Sequence, residues 1–222
     1  MAETKRPVGL LFDIGGAILD YELSKNIPPG WVNFSISRTS PHGSWHRLER
    51  GEIPMDAEFF AAFNRDLRNP DLWKQFHEIS RTPDPYMYPA LKKLRASGQF
   101  VMGALSNTTK FPEGHPYNKD VSGVKSQFDF FISSAHTGLR KPDPKIYQVA
   151  IQEMDAEAKK RGFPGANPAD IVFLDDIGEN LKAAKKAGLR TVKVTLGKTD
   201  GAVRELEKIT GLQLLEEDKA RL

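Results

Sequence analysis

The segment that decides the fold is Val8-Gly9-Leu10-Leu11-Phe12, followed by Asp13-Ile14-Gly15-Gly16. A short apolar run without polar alternation is typical of a strand that is buried on both faces, as in a parallel sheet. The run stops at a carboxylate, and two glycines then allow the chain to turn freely. We therefore predict a buried strand that presents Asp13 at its carboxyl end.

Strands and helices alternate again after residue 85. The pattern predicts strands at 100–105, 128–132, 171–174 and 191–194, and helices at 88–96, 144–160, 178–187 and 201–209. Such alternation indicates a parallel sheet that is covered on both faces. The predicted fold class is therefore α/β, a Rossmann-like parallel sheet with helices on both faces.

The pattern differs between residues 21 and 85. Residues 55–67 and 71–79 have helical spacing and many aromatic side chains, and no apolar run there resembles a buried strand. We interpret this region as a helical insert after the first strand. The expected domains are a core made of residues 1–20 and 86–222 and a helical cap made of residues 21–85.

The composition excludes several classes of function. The 222 residues contain no Cys, so disulfides, zinc–cysteine centres and thiol nucleophiles are excluded. The 32 Lys and Arg and 29 Asp and Glu residues are scattered, without a basic block or nucleic-acid motif. No apolar segment has the form of a signal peptide or a membrane span. We expect no nucleic-acid or membrane partner, and no feature indicates an oligomeric state.

Polar side chains follow the predicted strands. In an open α/β sheet, ligands bind at the carboxyl ends of the strands. The residues at or beyond those ends supply three carboxylates, a hydroxyl, an amide and an ammonium group, namely Asp13, Ser106, Asn107, Lys141, Asp175 and Asp176. These are the groups that a magnesium ion and a phosphate group require.

Asp13 can act as a nucleophile and form an aspartyl-phosphate. Because a carboxylate and a phosphate dianion repel each other, a cation is needed between them. Asp13, Asp176 and the main-chain carbonyl of Gly15 could form half of a Mg²⁺ site. Phosphoryl oxygens would be contacted by three further side chains, Ser106, Asn107 and Lys141.

Each of these segments also has an ordinary structural explanation. An Asp after a strand often forms a turn or caps a helix, and Ser106-Asn107 is a turn signal. The segment after Lys141 is Pro-Asp-Pro, which can begin a helix, and Asp175-Asp176 with Asn180 could be a capping arrangement. The occurrence of all four segments in this order favours a functional site.

Four segments together resemble the ordered motifs of haloacid dehalogenase-like hydrolases. They are Leu-Leu-Phe-Asp-Ile-Gly-Gly-Ala-Ile at 10–18, Leu-Ser-Asn-Thr at 105–108, Arg-Lys-Pro-Asp-Pro-Lys-Ile-Tyr at 140–147, and Phe-Leu-Asp-Asp-Ile-Gly-Glu-Asn-Leu at 173–181. Residues 171–215 particularly resemble the N-terminal phosphatase domain of soluble epoxide hydrolases. The resemblance spans nearly the whole chain and is weak in the insert.

The resemblance implies a Rossmann-like core, a helical cap after the first strand, and Asp13 as the nucleophile. It implies magnesium bound at Asp13, Gly15 (through its carbonyl) and Asp176. It further implies phosphate contacts from Ser106, Asn107 and Lys141, with Asp175 and Asn180 supporting the water molecules of the metal.

One position departs from the family pattern. Phosphatases of this family usually carry a second Asp two residues after the nucleophile, as the acid and base of the reaction, and here that residue is Gly15. Acid–base help is worth about 10²–10⁴ in rate. The insert offers His42, His46 and Glu52 as proton donors, although surface or packing roles are the more ordinary interpretation of each. Asp20 is better explained as a local cap.

Three functions therefore stay open. The first is hydrolysis of small phosphate monoesters. The second is a haloacid dehalogenase-type reaction, in which the halide leaves without a proton, although the retained Asp175-Asp176 pair speaks against a metal-free site. The third is a non-catalytic or weakly active binding protein on the same fold, which the Gly15 replacement motivates.

The last three residues, Ala220-Arg221-Leu222, resemble the Ser-Lys-Leu peroxisomal address in their small, basic, Leu order. We expect a cytoplasmic protein, with import into peroxisomes as the alternative if this is the natural terminus.

Overall fold

The structure, a computed structural model, describes residues 5–15, 17–18, 36, 38–67, 83–111, 113–114 and 123–216. The described residues form one five-stranded sheet in which all neighbouring strands are parallel. The strands are β1 (Gly9–Phe12), β2 (Val101–Ser106), β3 (Phe130–Ser133), β4 (Ile171–Asp175) and β5 (Arg190–Lys193). Their order is β3-β2-β1-β4-β5, which places β1 at the centre.

Helices connect the strands and flank the sheet. They are α1 (Ser44–Glu49), α2 (Ala57–Leu67), α3 (Met87–Ser97), α4 (Ser134–Thr137), α5 (Pro144–Lys160), α6 (Gly178–Lys186) and α7 (Thr199–Thr210). Short 3₁₀ helices lie at Lys125–Gln127 and Pro168–Asp170. The predicted α/β fold class, a Rossmann-like parallel sheet with helices on both faces, is confirmed. Among the described residues, no helix is both long and apolar enough to cross a membrane.

Alternate residues of the sheet point into two separate cores. Leu10 and Phe12 of β1 belong to the core that contains residues of α3 and α7, whereas Leu11 belongs to the core that contains residues of α5 and α6. All three side chains are fully buried. Gly9 allows α5 to come close, because a Cβ atom there would lie 2.3 Å from Sδ of Met154. The continuous apolar run of β1 is therefore explained by burial on both faces.

The insert contributes α1 and α2 among its described residues. Leu48, Met55, Phe59 and Phe63 form a third buried cluster there, and Phe59 stacks on Phe63 with ring centroids 5.5 Å apart. No strand occurs within residues 38–67. The helix predicted at 71–79 and Asp20 both lie outside the described residues. The limits of the helical cap, residues 21–85, stay a prediction.

The sequence signals at the start of α5 match its structure closely. The Asp143 side chain accepts a hydrogen bond from the main-chain N–H of Lys145 at 2.9 Å, and Pro144 occupies the first turn. An Asx cap followed by proline is a strong helix start. The helix therefore spans the residues that the sequence predicts.

Candidate active site

Asp13 lies at the carboxyl end of the central strand β1. Its main-chain N–H donates to the Leu174 carbonyl of β4 at 2.8 Å, so the residue is still tied to the neighbouring strand. Its side-chain Oδ1 accepts a hydrogen bond from the N–H of Ile14 at 2.8 Å. Asp13 is only 6% exposed. The nucleophile candidate is therefore fixed by main-chain contacts at the sheet edge.

Asp13, Asp175 and Asp176 converge at this edge, each offering an oxygen within 4.8 Å of the others. Burial is the main cause that raises the pKa of Asp13 to about 7, with Lys141 opposing it and the two other carboxylates adding to it. Burial and Asp175 likewise raise the pKa of Asp176 to about 6. Concentrated negative charge away from water disfavours the ionised carboxylates.

Lys141 lies between two of these carboxylates. Its Nζ is 2.9 Å from Oδ1 of Asp13 and 2.6 Å from Oδ2 of Asp175, and the residue is 1% exposed. Burial alone would lower the pKa of Lys141, but the carboxylates of Asp13 and Asp175 outweigh it and raise that pKa. Lys141 is therefore held as an ammonium ion.

Asp175 has both carboxylate oxygens engaged. Oδ1 accepts from the N–H of Ile177 at 2.7 Å, and the amide of Asn180 donates to both oxygens at 3.1 and 3.0 Å. The hydroxyl of Tyr147 in turn donates to the Asn180 carbonyl at 2.9 Å. With Lys141 as a further partner, Asp175 fixes the start of α6 and the position of the ammonium group.

Asn107 is joined to the main chain of Lys141 in both directions. Its Nδ2 donates to the Lys141 carbonyl at 3.1 Å, and its Oδ1 accepts from the Lys141 N–H at 2.8 Å. Ser106, the last residue of β2, is buried beside it. The structure thus gives Asn107 a positioning role for Lys141, and its contact with phosphate stays a prediction.

The donor set fits a hard divalent cation. Three carboxylates share one ammonium group, so the cluster keeps excess negative charge at neutral pH, and carboxylate oxygen is the ligand type that Mg²⁺ prefers. Asp13 and Asp176 are the carboxylates best placed to bind the cation, because both oxygens of Asp175 already accept hydrogen bonds from protein donors. Gly15 follows at the same edge, and its carbonyl as a ligand stays a prediction.

The candidate proton donors in the insert differ in their surroundings. His46 is 2% exposed, and within the described residues its Nδ1 has no hydrogen-bond partner. Burial and the nearby Arg140 lower the pKa of His46 to about 4, so it is neutral at pH 7 and a poor acid. Glu52 is exposed and bonded to Arg50, with Oε2 3.0 Å from Nη2. His42 is exposed.

Sequence reasoning overlooked two polar groups near the site. Glu49 of α1 accepts hydrogen bonds from Arg140, the residue before Lys141, and nothing in the sequence indicates this pairing across 91 positions. Ser133 ends β3 and bonds through Oγ to Nδ1 of His136 at 2.8 Å. Ser133 directly follows the strand predicted at 128–132, so the strand-end rule pointed to it, but the sequence prediction passed over it in favour of the segment that leads to Lys141.

Comparisons with known proteins agree with this geometry. The family model described as haloacid dehalogenase-like hydrolase matches residues 9–188. The chain is 42% identical over 205 residues to pig (Sus scrofa) bifunctional epoxide hydrolase 2, covering 86% of this chain and 35% of that protein. It is 24% identical over 188 residues to the sesquiterpene phosphatase astK of Aspergillus oryzae, covering 83% and 88% of the two chains.

A solved structure shares the fold. It is the HAD family enzyme BT-2542 from Bacteroides thetaiotaomicron in complex with magnesium and inorganic phosphate. The TM-score is 0.56 at 21% identity, covering 86% of this chain and 95% of the other. The chain spans about a third of the length of the pig protein, so the match concerns one part of that larger molecule.

Proposed function

Because the chain belongs to the haloacid dehalogenase-like hydrolase family, we propose that it hydrolyses small phosphate monoesters with magnesium, through an aspartyl-phosphate on Asp13. The observation that supports this most is the convergence of Asp13, Asp176 and the buried ammonium group of Lys141 at one sheet edge. The names of the fungal phosphatase and of the magnesium–phosphate complex of BT-2542 agree with it.

Asp13 would act in two steps. A carboxylate oxygen attacks phosphorus, the P–O bond of the ester breaks, and the departing alkoxide takes a proton from solvent water. Water then attacks the same phosphorus, which releases inorganic phosphate and regenerates the carboxylate. Bound Mg²⁺ supplies charge neutralisation for the phosphoryl oxygens, and Asp13 and Asp176 would hold it.

Lys141 would stabilise the charge that develops during transfer. Its Nζ contacts Asp13 directly, so it lies beside the reacting oxygen without needing to move into the site. Asn107 fixes the Lys141 main chain, and Asp175 fixes its ammonium group. A charge held in place before the reaction stabilises the transition state without a reorganisation cost.

Gly15 leaves the departing group without the acid that family phosphatases place two residues after the nucleophile. The reaction should therefore favour esters whose alcohol leaves readily as an anion, such as nitrophenyl phosphate. A binding protein without turnover and a haloacid dehalogenase are the competing proposals. Three clustered carboxylates favour a cation-dependent reaction over a metal-free dehalogenation.

The decisive experiment is a panel of phosphate esters assayed with magnesium and with a chelator. The proposal expects turnover of nitrophenyl phosphate that requires magnesium and is lost in Asp13→Asn, while the control Asp200→Asn, a half-buried carboxylate on α7, retains it. Gly15→Asp should extend turnover to simple alkyl phosphates. Turnover of haloacids in the presence of the chelator would support the dehalogenase instead, and phosphate binding without any turnover would support a binding protein.

A further inference from the structure

A basic groove lies on the outer flank of the sheet beside the edge strand β5. It has a volume of about 680 Å³. Seven residues line it, and they are Gly178, Leu181, Lys182, Lys185, Lys186, Thr191 and Lys193. The groove plays no part in the reaction described above.

The groove is formed by one side of α6 and one face of β5. Lys185 lies four residues after Leu181 and three after Lys182, so it shares a side of the helix with each of them. Thr191 and Lys193 are two residues apart, so they point to the same face of the strand. The groove follows the length of α6, which is roughly 13 Å for nine residues.

The groove carries positive charge only. Four of its seven lining residues are lysines, and none is acidic. Among the described residues, none of these four lysines has a carboxylate within 4.0 Å, whereas Lys159 and Lys160 of α5 pair with Asp155 and Glu157. A solvated lysine face usually gains acidic neighbours three or four residues away, as α5 does. On α6, Glu179 precedes Lys182 by three residues without pairing with it within 4.0 Å, and Lys185 and Lys186 have no acidic residue three or four positions away along the chain.

One end of the groove lies beside Asp175 and Asp176 of the candidate active site. Lys193 is the direct partner of Asp175 in the parallel pairing of β4 and β5. Gly178 follows Asp176 by two residues. A molecule whose phosphate occupies the site could therefore extend past Lys193 and along α6. The lining has no aromatic side chain, so it offers no stacking surface for nucleic-acid bases.

We propose that this groove binds a second anionic group of the substrate, and that the substrates are phosphate esters with a second phosphate or carboxylate at their far end. The proposal rests on the proposed function of the site. The length of α6 sets the separation of the two anionic groups at roughly 10–15 Å. The lysines attract the far group electrostatically, so its contribution should weaken as ionic strength rises.

The test compares long-chain alkanediol bisphosphates with the matching monophosphates. With about ten methylene groups between the phosphates, matched to the roughly 13 Å of α6, the bisphosphate should have a kcat/KM roughly five- to tenfold higher. The double variant Lys185→Gln/Lys186→Gln should bring this ratio close to one. The control Lys159→Gln/Lys160→Gln removes the same charge from α5 and should keep the preference.

Calorimetry with the non-hydrolysable alkane bisphosphonate gives a readout besides activity, in the presence of magnesium. The groove proposal expects the bisphosphonate to bind more tightly than the monophosphonate, with the difference lost in the α6 variant and kept in the α5 control. This result would support the groove even if no ester is hydrolysed. The absence of hydrolysis would overturn only the proposed function. Equal binding of the two phosphonates overturns the groove proposal. The groove proposal is also overturned if the preference for the bisphosphonate does not depend on linker length, or if the α6 and α5 double variants reduce that preference equally.

Discussion

Arg140 and Glu49 form a buried ion pair that joins the insert to the active-site loop. Nε and Nη2 of Arg140 lie 2.9 and 2.7 Å from Oε2 of Glu49, and the two side chains are 18% and 7% exposed. Burial raises the pKa of Glu49, and the charge and hydrogen bond of Arg140 oppose that rise. Because Lys141 is the next residue, this pair connects the position of α1 with the position of the Lys141 ammonium group.

Glu49→Gln should destabilise the protein, because it leaves the guanidinium group of Arg140 without its countercharge. We expect a loss of roughly 2–3 kcal/mol in the free energy of unfolding, measured by urea denaturation. The double variant Glu49→Gln/Arg140→Gln should lose less than the sum of the two single variants.

The matched control is Glu52→Gln, which disrupts the more exposed pair with Arg50 and should cost less than about 1 kcal/mol. If the double variant loses as much free energy of unfolding as the sum of the two single variants, Glu49 and Arg140 are not coupled and the prediction is wrong.

Lys141→Met should reduce catalysis strongly. It removes the ammonium group that contacts Asp13 and Asp175, and loss of one such preorganised group reduces kcat by roughly 10²–10³-fold. The measurement is kcat with nitrophenyl phosphate at saturating magnesium. The exposed Lys145, four residues later, serves as the control through Lys145→Met, and comparable rates in the two variants would refute this role for Lys141.

Magnesium should stabilise the folded protein against heat. A ligand at a hundredfold excess over its Kd stabilises by roughly 2.7 kcal/mol, which raises the Tm of a chain of this size by roughly 5–10 °C. Calorimetric scans with and without magnesium test this. Asp176→Asn should abolish the shift, and Glu179→Gln, an exposed carboxylate in the same segment, should preserve it. A shift of equal size in all three proteins would show that magnesium acts elsewhere.

Asp129 should make stability depend on pH in the acid range. Burial alone would raise the pKa of Asp129, but hydrogen bonds from Arg95 and the N–H of Met102, with the charge of Arg161, lower it overall. A carboxyl whose pKa is lower in the folded state stabilises the protein above its unfolded pKa, near 3.9, and loses that contribution as pH falls through the lower folded value.

Urea denaturation between about pH 6 and pH 2 should therefore show a steep loss of stability in the native chain and a shallower loss in Asp129→Asn. Asp200→Asn, which replaces a more exposed carboxylate on α7, should follow the native curve. Identical pH profiles for the native chain and Asp129→Asn would contradict this assignment.

The three inner strands β1, β2 and β4 were predictable because they are buried on both faces. Val101–Ser106 and Ile171–Asp175 are continuous buried runs, and the predicted bounds differ from them by one residue at one or both ends. The positions of the acidic groups followed from one topological rule, since the carboxyl ends of parallel strands meet at the same edge. Asp13 and Asp175 end adjacent strands, so their proximity required no further information.

The features that sequence reasoning missed depend on tertiary contacts or on very short elements. The four residues of α4 and the six of α1 are too short for a hydrophobic period to stand out, and α1 begins directly after Gly43. The family resemblance already separated the roles of Asp175 and Asp176, but the reason lies in tertiary contacts, because Asn180 and the N–H of Ile177 donate to the oxygens of Asp175.

The covalent step on Asp13 is tested most directly by trapping the intermediate. Protein mixed with a reactive phosphate ester and magnesium is quenched in acid within the first turnover and analysed by mass spectrometry of its peptides. We predict one added phosphoryl group on the peptide that carries Asp13, disappearing as turnover completes. Hydrolysis of the same ester with no phosphorylated peptide at any time, or with undiminished turnover in Asp13→Asn, would contradict the account.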